Sequence, residues 1–382
     1  MLKNKNKKIN ILNKIILLVS KQYASIGGQA VIEGVMMRSP NAFVVAVRKP
    51  DGTIRLRRDQ WYGLSNKLSF LKKPFLRGVL VLIETMANGV VSLNYSANIA
   101  MDEENKKVAL QKGISESDYE KNKKSKEKVG FETFISIAFS FAFGIGLFVF
   151  LPHALTAIIE KYSGAKWDLQ SFQFHAIDGT IKAFIFLTYI YLISFLPDIK
   201  KVFQYHGAEH KSISTFEAGE ELIIENARKH STFHPRCGTT FIFFLMFVSI
   251  ILFAIIFAIV PIGSHSPVLL KHAYAMLFKV ALTLPIAGIS YELIKFVGKD
   301  PNSLAGRIMS YPGKLLQKLT TKEPEDAQLE IALASIKAVL MLEEKYNLKE
   351  ASTKKITVDE IDFASLADIE TSNFKLNDFL ES

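Results

Sequence analysis

The densest chemistry in the chain lies between positions 206 and 237. His206, Glu209, His210, His234 and Cys237 stand there, with Glu217, Glu225 and His230 between them. His206 and His210 are one helical turn apart, so a helix sets both imidazoles on one face, the spacing by which two histidines hold one ion. His234 and Cys237 form a second closely spaced pair. The two pairs together supply four ligands of the kind Zn²⁺ prefers, with iron or manganese next because carboxylates are close by. The same residues match the inverted zincin order His-x-x-Glu-His, in which two histidines bind zinc and the glutamate, here Glu209, is the general base. That use needs a third protein ligand, for which Glu225, Glu217 and Glu292 are candidates, and a position left open to water. Four closing ligands make such a site structural, and three leave room for catalysis. The plain alternative is a polar loop whose histidines cap helices or meet lipid phosphates.

Long apolar runs flank this stretch on both sides. Apolar residues make up 49% of the 382, with 29 Phe among them. They fall in blocks with few charges, each about the ~20 residues that cross ~30 Å of hydrocarbon. Spans are expected over 134–151 (with an apolar run on to 159), 181–196, 239–262 and 273–297. The fold class is therefore a mainly α polytopic membrane protein, of about four transmembrane helices, with a small N-terminal unit containing a β-hairpin. The net charge of +10 fits lysines and arginines held on the cytosolic side better than a nucleic-acid footprint. Few of them follow the first and third spans (Lys161, Lys166, Lys271), whereas Lys200, Lys201, Lys211, Arg228, Lys229 and Arg236 lie between the second and third. That distribution places the His-rich stretch and both termini in the cytosol. A single cysteine, Cys237, excludes an intrachain disulfide and leaves a thiol free to bind metal.

The remaining organisation follows from local signals. Residues 1–22 form a basic segment and 23–63 a β-rich cytosolic unit. In that unit Pro50, Asp51 and Gly52 join two alternating runs, a hairpin signal. Its basic residues Arg48, Lys49, Arg55, Arg57 and Arg58 read as a solvated face. Residues 66–130 hold an amphipathic helix and a charged linker. Leu76, Val79, Leu80, Ile83 and Met86 recur there at helical spacing, but Arg77, Glu84 and Asn88 interrupt them, so the helix is expected to lie on the membrane or against the helix bundle and not to cross. The transmembrane region, 131–298, carries the cytosolic metal-site insert 198–238. A helical segment, 299–345, follows. Threonine, proline and acidic residues mark the start of its helix at 327, whose apolar stripe includes Leu329, Leu333, Ile336 and Leu340. Residues 346–382 read as an acidic, flexible tail.

Several of these runs together resemble the YqhQ-like family of uncharacterised bacterial membrane proteins. They are residues 27–40, 205–211, 225–228, 234–239, 288–295 and 319–326, and the resemblance extends over roughly 24–345. It implies a bacterial inner or plasma membrane location and carries the family's label of predicted metal-dependent enzyme, a label that rests on the same histidines. Two function classes follow. One is a membrane-embedded metal-dependent hydrolase with Glu209 as base. The other is a non-enzymatic assembly or biogenesis factor, in which the metal fixes a cytosolic face that binds a protein partner. A transporter is a third reading, disfavoured by how few charges the spans carry.

Overall fold

Alternating apolar residues in the N-terminal sequence build a meander of antiparallel strands: β1 (Gly27–Val31), β2 (Gly34–Arg38), β3 (Ala42–Arg48) and β4 (Ile54–Gln60). The β3–β4 turn is the expected one. Gly52 takes φ 85° and the Asp51 carboxylate accepts from the Thr53 N–H. Successive strand residues point to opposite faces, and here both faces are covered. Val35, Met37, Val44, Ala46 and Leu56 pack with two helices that carry and support the metal-capable residues. Met36, Phe43, Val45 and Val47 pack on the end of a third helix. The computed structural model describes residues 26–39, 42–60, 73–115, 117–119, 131–164, 167–235, 237–263, 265–297, 303–348 and 359–371. The basic segment expected over 1–22 lies outside them.

The helices are α1 (Leu76–Ala100), α2 (Asp102–Gln111), α3 (Phe131–Ile145), α4 (Leu151–Ser163), α5 (Phe172–Ile193), α6 (Pro197–Glu217), α7 (Ile224–Lys229), α8 (Gly238–Ile259), α9 (Val268–Val297), α10 (Leu304–Thr320) and α11 (Asp326–Leu348). A π-helical turn, Gly146–Phe150, joins α3 to α4 in one rod. Beyond α11 come strand β5 (Asp359–Phe363) and the short helix α12 (Leu366–Thr371). By length and composition five segments could cross a membrane: Leu76–Ala100, Ile135–Ser163, Phe172–Ile193, Gly238–Ile259 and Val268–Val297.

Helix α8 packs against both α5 and α9, and α4 lies along α5. At one end α5 leads into α6 and α8 departs from Cys237, both beside the sheet. At the other, Lys271 meets Asp168 at 3.4 Å. Helix α1 behaves differently. Its start abuts the sheet-side part of α9, where Gly78 lies against Gly288 and Tyr291. Its last turns bury Tyr95 and Ile99 in the sheet. By length and composition it counts among the five candidate spans, and its last turns reach the sheet.

Two elements differ from the sequence expectation. Helix α5 begins at Phe172 and not at 181, because His175 and Asp178, which hydropathy counts against a span, are buried among partners from other helices. Residues 359–363, inside the acidic tail, form β5 and pair antiparallel with β4. Asp362 bonds Arg55 at 2.7 and 2.8 Å. The basic hairpin is therefore largely neutralised by the chain's own acids, with Arg48 also paired to Glu330 at 2.7 Å.

Candidate metal centre

Helix α6 carries the first half of the site. Pro197 occupies its first turn, where a missing N–H costs nothing. Its second half is buried from Tyr205 to Phe216 with few exceptions. Two close approaches fix its position. The chain after α10 presses on it at Gly207, where an added Cβ would stand 2.1 Å from the Lys322 carbonyl oxygen. Strand β1 presses on it at Gly28, where a Cβ would meet the Glu209 side chain at 2.7 Å. The β1–β2 turn is latched to the same helix, with Glu33 accepting from Lys201 Nζ at 2.7 Å and from the Tyr205 hydroxyl at 3.3 Å.

These contacts orient the two histidines alike. His206 Nδ1 lies 2.8 Å from the Thr320 carbonyl oxygen, and His210 Nδ1 lies 2.5 Å from that of Thr232. A carbonyl only accepts, so both Nδ1 atoms carry the proton and both Nε2 atoms present lone pairs. This is the arrangement by which a backbone carbonyl fixes the tautomer of a metal-ligating histidine. Cys237 arrives as the N-cap of α8, with its Sγ 3.2 Å from His206 Nε2. One ligand atom from each of His206, His210 and Cys237 lies within 4.8 Å of the others. Glu209 stands beside them, Oε2 3.9 Å from His206 Nε2.

The other expected ligands do not join that trio of atoms, although the His234 ring lies next to it, its centroid 5.7 Å from that of His210. His234 is buried, but its Nε2 faces Glu217 at 3.4 Å. Its backbone is held by a reciprocal pair with Gln317: His234 N–H donates to Oε1 at 3.0 Å and Nε2 donates to the His234 carbonyl at 2.9 Å. Glu225 is exposed on α7. Glu292 is bound to Arg77 and accepts from the Phe75 N–H. The structure thus brings together His206, Glu209, His210 and Cys237, and leaves Glu225 and Glu292 apart. Sequence reasoning missed the supporting groups Thr232, Thr239, Gln317 and Thr320. Three of these act through backbone or hydroxyl atoms that no spacing reveals.

Burial sets the protonation of the site. It pushes the Glu209 carboxyl up to about 7, against a smaller opposing pull from His206 and the Gly28 N–H. It holds His210 well below the ordinary imidazole range and His234 down to about 4, so both are neutral, the form that ligates. The Cys237 thiol is pushed up to about 12 by burial and by Glu209, although Thr239 hydrogen bonds pull the other way. A divalent cation reverses that preference, since a coordinating thiol is deprotonated outright. The donor set fits a metal: two imidazole lone pairs and a thiol at a helix N-terminus, with no lysine or arginine in the trio among the described residues.

A family model described as "Protein of unknown function (DUF1385)" matches residues 73–342. The chain is 36% identical over 325 residues to "Uncharacterized protein YqhQ" of Bacillus subtilis (strain 168), covering 83% of this chain and 92% of that protein. No solved structure matches.

Proposed function

We propose that this chain, which belongs to the DUF1385 family, is a membrane-embedded metal-dependent hydrolase whose centre lies on the cytosolic side of a bacterial cell membrane. The observation that carries the reading is the convergence of one ligand atom each from His206, His210 and Cys237, with Glu209 alongside. Three protein ligands leave a coordination position free, the mark of a catalytic zinc site. Zinc is the metal that two imidazoles and a thiolate favour. When bound, it supplies Lewis acidity and lowers the pKa of water.

The protein's own groups do the rest. The Thr320 and Thr232 carbonyls hold the imidazoles in one tautomer, and the Thr239 hydroxyl donates to the Cys237 sulfur at 3.3 Å. Glu209, raised to about 7, is placed where a base accepts and returns a proton near neutral pH. The cytosolic placement is supported by the lysines and arginines around α6 and α7.

Elemental analysis of the purified full chain tests this. Zinc is expected in stoichiometric amount, lost in His210→Ala and in Cys237→Ala and retained in Glu209→Gln. Equal metal content in all four proteins sinks the site. A second reading, a structural metal in a membrane assembly factor, is favoured by the enclosure of Glu209, 5% exposed and pressed by Gly28. Glu209→Gln separates the two. Hydrolysis requires loss of the cellular phenotype with metal retained, whereas the assembly reading requires both to persist, along with a stoichiometric partner on purification.

A further inference from the structure

A second cluster of ionisable side chains lies inside the helical region, away from the metal centre. His153 from α4, His175 and Asp178 from α5 and Lys279 from α9 are each 1% exposed. Lys279 Nζ lies 3.0 Å from Asp178 Oδ2 and 3.1 Å from His153 Nδ1. His153 Nε2 lies 3.0 Å from Nδ1 of His272, which is half-buried near the end of α9 away from the sheet. Lys182, one turn after Asp178, stands 3.8 Å from its carboxylate. Helix α8 contributes no titratable group; it covers Lys279 and His175 with the rings of Phe253 and Phe257. Glu160, Asp168 and Lys271 ring the adjacent end.

The hydrogen-bond directions in this cluster are forced. An ammonium only donates, so Lys279 donates to His153 Nδ1. His153 then carries its proton on Nε2 and donates to His272 Nδ1. His272 in turn carries its proton on Nε2, outside the chain of bonds. Two buried atoms, Asp178 Oδ1 and His175 Nδ1, have no hydrogen-bond partner. His175 Nε2 donates to the Leu169 carbonyl at 2.9 Å, so its Nδ1 is an acceptor. Both unpartnered atoms therefore lack a donor. An anion would not satisfy them. A metal ion would contend with the Lys279 ammonium, which already occupies the position between carboxylate and imidazole. A proton, or a proton-bearing water, meets the need.

We propose that Lys279, His153 and His272 form a proton-exchange relay, anchored on Asp178 and reaching the half-buried His272 at the end away from the sheet. Intramembrane ionisable chains of this kind mark proton pathways. One outward transfer moves a single proton. The Lys279 Nζ–H bond breaks as an Nδ1–H bond forms on His153. The His153 Nε2–H bond breaks as an Nδ1–H bond forms on His272. The His272 Nε2–H proton passes to water. Lysine ends neutral, both imidazoles end in the opposite tautomer, and one proton has left; reversal of the steps reloads the chain.

Imidazole ¹⁵N spectra of the full chain in lipid nanodiscs, recorded across pH, test the proposal. The expected result is a joint tautomer change of His153 and His272 in one pH step. In His272→Asn, a rim substitution, the pH-dependent shift at His153 is lost. A His153 resonance that holds one tautomer while His272 titrates overturns the relay, as does an unchanged His153 shift in His272→Asn. Retained zinc in that variant confirms that it is folded. Zinc loss in His272→Asn counts against an independent second site, and the relay as proposed falls with it.

Discussion

The two histidine clusters use the same residue types toward opposite ends, and the second ring nitrogen tells them apart. At the sheet, His206 and His210 give their Nδ1 protons to backbone carbonyls, which never change charge. Their Nε2 lone pairs are thereby held in one place, as a metal requires. Among the helices, both nitrogens of His153 bond to titratable groups, Lys279 and His272. There the tautomer is free to reverse, as proton exchange requires. Anchorage of the spare nitrogen, more than the count of nearby histidines, separates a ligand from a relay.

The largest effect expected from this contrast is at Asp178. Its removal leaves the Lys279 ammonium buried without a counter-charge, and breaking one partner of a buried pair costs about 3–5 kcal/mol. Asp178→Asn should lower denaturant resistance by that amount with zinc content unchanged. Loss of zinc along with stability would mean that the two clusters are one cooperative unit, and the contrast would fail.

Next comes Glu209 in metal-stripped protein. Burial raises its folded pKa to about 7 from the ordinary 4.5. A raised pKa contributes stability fully below the unfolded value, lost as pH rises through about 7. The whole shift corresponds to about 3 kcal/mol. Glu209→Gln should therefore flatten the decline of apo stability between roughly pH 4.5 and 7. With zinc the pH dependence reverses in sign, because binding must displace the Cys237 proton and affinity rises with pH. Unfolding curves with and without chelator, at three pH values, read both limbs. An apo curve that keeps its decline in Glu209→Gln assigns the slope to another group.

A third test acts through packing. At Gly207 an alanine methyl meets the Lys322 carbonyl oxygen, a backbone atom with little room to move. Gly207→Ala should cost about 1–3 kcal/mol and weaken zinc binding, since the displaced segment carries the Thr320 carbonyl that orients His206. Full zinc affinity in this variant would show that carbonyl anchorage is dispensable at His206.

Legibility in the sequence followed from whether a constellation is local. His206, Glu209 and His210 sit on one helix, and Cys237 lies only 31 positions from His206, so their spacing announced them. The β3–β4 hairpin was legible for the same reason, through Pro50, Asp51 and Gly52. The relay was invisible: its contacts join residues 119 and 126 positions apart. Its polar members also lowered the hydropathy of α5 enough to hide that helix's first turns. Partners across three helices let His153, Asp178, Lys182 and Lys279 be enclosed together, a grouping of ionisable side chains that hydropathy alone does not show. Glu292 illustrates the opposite error. An acid in an apolar helix drew attention as a ligand, but Arg77 on another helix accounts for it.

The smallest effect is expected where charges stay wet. Asp362 on β5 pairs with Arg55 and, at 3.4 Å, with Lys49, and its side chain is 40% exposed. Pairing with Arg55 holds its carboxyl below the usual carboxylate range. That contribution is present above the ordinary carboxylate pKa and lost as pH falls through the depressed one. Exposed pairs contribute about 0.2–1 kcal/mol and weaken with salt. Asp362→Asn should therefore shift unfolding by less than about 1 kcal/mol at neutral pH, with the difference shrinking in high salt and at acid pH. A loss as large as that at Asp178 would contradict solvent screening of this pair. It would make β5 a staple that closes the sheet over α11, with the Arg55–Asp362 pair setting the register in which β4 and β5 meet.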